Sequence, residues 1–250
     1  MVKMIKTHLR NNLILFTIFF VFALLFYFDA FRHFFYQDDI WHFYISNAHS
    51  LGEVLEFFNP INKFDYQTYR PLSTQLLFFS IQKLFGINHF VFQTLALVLL
   101  SVNTTLIFSI LKKSTKSSLA FLLSIFYLVH HQNIGIVYYL STIQISMALF
   151  FTLLAIREIQ IRRKFWQGKI FVLYLLALLS QEITLLNPVI FAILLWLEDR
   201  QVFKTSKKLL IALLTLMLVY LAGRFYFVNQ ELFTNTHYQI SLQAKTIANS

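Results

Sequence analysis

Cysteine is absent from this 250-residue chain, which excludes disulfides and thiolate metal sites and leaves the compartment open. Glycine and proline are scarce, at five and three residues. Charge is scarce too: 13% of residues are charged, against about a quarter in an ordinary soluble domain. Runs of β-branched residues are few, and no segment alternates over ten residues as an outer-membrane strand does, so a barrel is not the expected fold. The chain is instead 58% apolar and 18% aromatic, with 30 phenylalanines. That balance points to a polytopic membrane protein. A net charge of +10 invites a nucleic-acid partner. The distribution argues against one, because the basic residues sit in short loops between apolar runs.

The apolar runs set an expected topology. Residues 1–12 carry Lys3, Lys6 and Arg10 and no acid, and residues 13–28 are unbroken apolar sequence. No small-residue cleavage site follows, so a first transmembrane helix with a cytoplasmic N-terminus is expected rather than a signal peptide. Further apolar runs cover residues 90–111, 119–129, 136–156 and 209–228. Residues 170–197 would reach about 42 Å as one helix, too long for a hydrocarbon core of about 30 Å. Two short helices turning near Gln181-Glu182 and Asn187-Pro188 are expected there. The result is a single all-α transmembrane domain over residues 1–250, a helix bundle of about seven spans. Its inside loops hold 15 of the 21 Lys and Arg residues, as the positive-inside rule requires.

Residues 35–70 are the one long polar segment, and they form the large first extracytoplasmic loop. They hold five of the 11 acids: Asp38, Asp39, Glu53, Glu56 and Asp65. Within the loop, Ser50-Leu51-Gly52-Glu53 has capping-box spacing. Leu51, Val54, Leu55 and Phe58 then repeat at helical spacing, which predicts a short amphipathic helix at the membrane interface. The loop closes on Tyr69-Arg70-Pro71-Leu72, where Pro71 suits a first helical turn and residues 72–85 are expected to continue as a half-buried outer helix. The topology puts Asp38, Asp39, Asp65, Arg70, His130, His131 and Glu182 on one side of the membrane.

Taken in order, these features resemble the GT-C superfamily of integral-membrane glycosyltransferases, closest to its bacterial O-mannosyltransferase-like members and the tetratricopeptide-repeat transmembrane mannosyltransferases. The resemblance rests on a first helix and then an outer loop opening on Asp38-Asp39. It continues with Tyr69-Arg70-Pro71-Leu72-Ser73, then Leu84-Phe85-Gly86-Ile87-Asn88, and a His-bearing turn at His130-His131. It ends on Leu178-Leu179-Ser180-Gln181-Glu182, similar to the family's Leu-Ser-Lys-Glu turn with Gln181 in place of the lysine. Members usually have several more helices, so the resemblance implies the N-terminal portion of such a fold, incomplete at its C-terminus. It also implies transfer of a sugar from a polyprenyl-phosphate donor to an acceptor hydroxyl on the extracytoplasmic side. The lipid bilayer, the polyprenyl-linked sugar and an acceptor of unassigned class are the implied partners.

Such a reaction needs a base for the acceptor hydroxyl and cations for the departing phosphate. By resemblance Asp38 or Asp39 is the base; the plain alternative is a pair of solvated loop acids. Two adjacent acids repel, so one of them is free to bind an arginine or a divalent metal instead. His42, a few residues on, could join such a metal site, although no metal site is assigned. Arg70 offers a planar fork suited to phosphate oxygens, or else anchors a lipid headgroup. His130 and His131 point about 100° apart if helical, a poor metal pair; one of them is expected to hydrogen-bond the donor phosphate or the catalytic Asp, the plain alternative being interfacial histidines that close a helix. Glu182, an acid between two apolar helices, is a functional candidate for substrate binding by default. Two other classes stay open: a transporter or flippase-like carrier, and a non-catalytic membrane scaffold or truncated remnant.

Overall fold

The computed structural model describes residues 2–36, 38–60 and 69–228, and every regular element among them is helical. α1 (Val2–Phe26) is followed by a 3-10 turn and then α2 (Asp38–Ile45) and α3 (Leu51–Glu56). A π-type turn at Pro71–Leu76 leads into α4 (Leu77–Phe85), which stops at Gly86, whose φ of 70° is open to glycine at little cost. Then come α5 (His89–Leu111), α6 (Ser117–Leu128), α7 (Gln132–Tyr138), α8 (Ile143–Ile161), α9 (Trp166–Ser180), α10 (Asn187–Glu198), α11 (Arg200–Thr205) and α12 (Lys207–Gly223).

Among the described residues, three stretches are long and apolar enough to cross a membrane: His89–Leu111, Leu140–Ile161 and Lys207–Tyr226. A fourth results if α6 and α7, bent by 56° to each other, count as one span. Asn11–Phe26 and Trp166–Ser180 are shorter apolar helices. The surface of these helices is apolar as well. Ile211, Leu214, Leu218 and Val219 on α12, and Val189, Ile190, Ile193 and Leu197 on α10, are exposed. Apolar faces that continuous are what lipid contact requires and what a protein dissolved in water avoids.

α5 packs on α1, α6 and α8, and α8 packs on α9 and α10. One core joins Phe19 and Ala23 of α1, and Tyr27 just after it, to Leu97, Leu100 and Phe108 of α5. A second joins Ala155 and Ile159 of α8 to Tyr174, Leu178, Phe191, Leu195 and Leu213. Buried polar side chains stitch the helices together. Asn103 donates to the Ser146 carbonyl and hydroxyl at 2.8 and 3.0 Å, and Asn187 donates to the Thr152 hydroxyl at 2.8 Å. In an apolar setting each such bond contributes about 1 kcal/mol and fixes register between helices. A third, smaller core of Phe43, Phe78, Phe92 and Ile143 sits under α2 and carries the polar loop.

The structure divides two runs where their composition places one helix and two. Residues 136–156 read as a single helix, yet the chain breaks at Tyr139, which is extended, and passes through a 3-10 turn at Leu140–Thr142. The cause lies elsewhere in the chain: the Ser141 N–H donates to a carboxylate from α2 at 2.6 Å, while the Thr142 hydroxyl donates to the Gly135 and Tyr139 carbonyls at 3.0 and 2.8 Å. Residues 170–197 break at the anticipated place, with Gln181 extended and a 3-10 turn over Glu182–Leu186 between α9 and α10.

Candidate functional site

The two neighbouring acids that open α2 have separate fates, because successive helical residues point about 100° apart. Asp39 is 1% exposed. One of its oxygens accepts from the Tyr36 N–H at 3.0 Å and the other from the Ser141 N–H at 2.6 Å. Burial pushes its carboxyl up, and these backbone donors oppose that rise. Asp39 therefore clamps the start of α2 to the break before α8. Asp38 is exposed beside it, within interaction range of the Tyr139 hydroxyl and of His42.

His42 lies one turn further along α2 and is 8% exposed, its ring 5.2 Å from that of Phe78. Its Nδ1 is buried with no hydrogen-bond partner among the described residues. Burial lowers the imidazole to about 4; Arg70 adds to that shift and Asp38 opposes it. At neutral pH the ring is uncharged, packed on Phe78 and within electrostatic range of both Asp38 and Arg70.

Arg70, within electrostatic range of His42, is held by its own set of contacts. Its backbone is kept out of the helical region by Pro71. The Thr74 hydroxyl donates to the Arg70 carbonyl at 2.7 Å, and Tyr220 donates to the Tyr69 carbonyl at 3.0 Å. Ser73 donates to the Ser180 carbonyl at 2.6 Å, so the first turn after Pro71 is bolted to the end of α9. Just beyond, Glu182 takes both Nε and Nη2 of Arg70 at 2.5 Å, and Arg224 donates to the same carboxylate at 3.2 Å. Burial raises the Glu182 carboxyl, but the two guanidinium groups outweigh it and hold it below the usual carboxylate range. Two arginines around one acid give this three-residue cluster a net charge of +1. The segments Tyr69–Ser73 and Leu178–Glu182, more than a hundred residues apart, are thus a single structural unit.

His130 and His131 stand apart from this unit. Both are exposed on the turn between α6 and α7. His130 accepts from the Gln132 N–H at 3.3 Å and lies edge-on to Phe126. Among the described residues, neither forms a hydrogen bond or ion pair with Asp38, Asp39, Arg70 or Glu182. Asp65 lies outside the described residues. No described group of three or more His, Asp or Glu side chains is placed to hold a metal ion. Asp39 has both oxygens committed to backbone donors, which removes it from a set with Asp38 and His42.

Two features escape a reading of the sequence. Arg224 joins the acid from the far end of α12; its one signal is a lone cation closing an apolar run. A cavity of about 580 Å³, lined by His33, Phe34, Phe35, Tyr36, Tyr138 and Tyr139, opens beside the acid pair. Its walls come from two distant loops, and nothing local marks either. The sequence matches no family model, and no curated protein or solved structure matches it.

Proposed function

We propose that this protein is a GT-C-like membrane glycosyltransferase that moves a sugar from a polyprenyl-phosphate donor to an acceptor hydroxyl on the extracytoplasmic face. One observation carries the reading: Arg70, Glu182 and Arg224 meet at the same end of the bundle as Asp38 and His42. In this reading Asp38 takes the proton of the acceptor hydroxyl as that oxygen attacks the anomeric carbon. The bond from that carbon to the phosphate oxygen breaks, and the phosphate leaves with the electron pair. Arg70 and Arg224 stabilise its charge, and Glu182 holds the Arg70 fork in one orientation. Asp39 positions Asp38 through its clamp on Ser141. The aromatic cavity beside the pair takes the acceptor.

The reading includes seven spans formed by α1, α5, α6, α8, α9, α10 and α12, with the His130-His131 turn at the outer face and α3 lying on the outer membrane surface. A reporter fused after Lys116 or Lys204 is then expected on the cytoplasmic side, and one after Asn59 outside; an external reading at Lys204 removes the paired short helices from the topology.

The decisive experiment follows labelled sugar from a polyprenyl-phosphate donor in membranes holding the full chain. Asp38→Asn keeps the side-chain shape and removes the base, so transfer is expected to fall by about 10²–10⁴ with donor binding retained. Wild-type membranes that move solute across the bilayer and transfer no sugar favour the carrier reading instead, for which the break at Glu182 between two short helices is the supporting feature.

A further inference from the structure

The opposite end of the bundle holds a cavity of about 850 Å³ between the start of the apolar part of α1 and the turn joining α8 to α9. Leu154, Ile161, Val172 and Leu173 form its apolar wall; Arg157, Arg163, Lys169 and Glu158 are its charged groups. Three cations and one acid give the lining a net charge of +2. The acid is already used, since Glu158 pairs with Lys169 at 3.4 Å. Arg157 is half-buried and lies within electrostatic range of Arg163, and neither forms a salt bridge or side-chain hydrogen bond among the described residues. The neighbouring Arg162 is fully engaged elsewhere, with Glu198 at 3.0 Å and Asp199 at 3.4 Å. The turn thus sends one arginine to α10 and leaves the next at the cavity without a counter-ion.

We propose that this cavity binds one anionic phospholipid, its phosphate held between Arg157 and Arg163 and its acyl chains along Leu154, Val172 and Leu173. The volume suits a headgroup and the first carbons of its chains. Two guanidinium groups with no salt bridge among the described residues favour a headgroup with net negative charge over a zwitterionic one. The apolar wall, continuous with the outer faces of α8 and α9, favours a lipid over a free anion. The site is independent of the glycosyltransferase reading, because it lies at the other end of the helices and uses none of the same residues.

Native mass spectrometry of the purified full chain tests it, with phosphatidylglycerol, phosphatidylcholine of the same acyl chains, or inorganic phosphate added at equal concentration. Phosphatidylglycerol is expected to be retained as a single copy, and about fivefold less strongly after either Arg157→Gln or Arg163→Gln. The double variant is expected to treat the two lipids alike, while Lys204→Gln on α11 changes nothing. Gly168 also lines the cavity, and a Cβ there meets no atom within 4 Å. Gly168→Leu is therefore expected to fill the space and weaken the lipid without touching a charge. Arg163 is exposed, so its variant tests the site even if Arg157→Gln disturbs folding. Equal retention of both lipids by the wild type, unchanged retention by the double variant, or inorganic phosphate binding as tightly as the lipid would each overturn the proposal.

Discussion

The two polar ends of the bundle are built on different principles. At the Asp38 end, Arg70 meets Glu182 through two parallel bonds of 2.5 Å, with side chains 15% and 23% exposed. At the other end, Lys113 and Arg162 share Glu198 at 3.2 and 3.0 Å, and Lys169 meets Glu158 at 3.4 Å, with the lysines close to half exposed. A two-point contact fixes the plane of a guanidinium, whereas single contacts to mobile lysines fix little. The first arrangement can aim a charge at a ligand. The second ties loops together and places cations where a membrane surface wants them.

The sharpest way to break this contrast is to remove the acid at each end. Glu182→Gln leaves two half-buried guanidinium groups facing each other, and a loss of about 3 kcal/mol is expected, at the low end for broken buried pairs. Thermal unfolding in detergent reads it. Glu198→Gln, by the same measurement, is expected to cost less, about 1 kcal/mol, because its partners Lys113 and Arg162 are 47% and 26% exposed and its contacts are longer, at 3.2 and 3.0 Å; this is the smallest effect of the set. Comparable losses would erase the distinction.

Acid should find the Asp38 end first. The folded His42 ring titrates at about 4, below its usual 6.5. The unfolded chain therefore binds the proton more readily, so stability rises with pH through this window and is lost as pH falls from about 6.5 toward 4. The loss by pH 5 is about 2 kcal/mol, and it should vanish in His42→Phe, in which the ring cannot charge. Unfolding curves of the two proteins from pH 7 to 5 check this; parallel curves remove His42 as the acid-sensitive group. A smaller effect is expected at Arg70→Lys. Lysine keeps the charge and loses the fork, so transfer should fall about tenfold through weaker donor binding. Equal activity would make Arg70 a general electrostatic anchor.

What the sequence reveals and hides follows from how local each cause is. Ser50 and Glu53 are three residues apart, and they bond to each other: the Glu53 N–H donates to Ser50 Oγ at 3.2 Å, and the Ser50 hydroxyl donates to the Glu53 carboxylate at 3.0 Å. The turn between α9 and α10 is legible as well, because the 28-residue run over 170–197 exceeds the membrane and is interrupted by Gln181-Glu182 and Asn187-Pro188. The break at Tyr139 is not legible, since the carboxylate that stabilises it comes from 102 residues earlier. Nor does an Asp-Asp pair say which member is buried. That depends on which one faces Ser141, a tertiary fact. Arg224 is hidden for the same reason, its partner lying 42 residues away across a helix pair.

The account turns on the Asp38 end acting on a ligand and the Glu198 end holding the bundle together. Sugar transfer from a polyprenyl-phosphate donor, measured side by side in membranes containing wild type, Asp38→Asn or Glu198→Gln at matched amounts of inserted protein, tests this most directly. Loss of about 10²–10⁴ in Asp38→Asn with near wild-type transfer in Glu198→Gln is the expected result. Wild-type transfer in Asp38→Asn, or no transfer by the wild type itself, would contradict it.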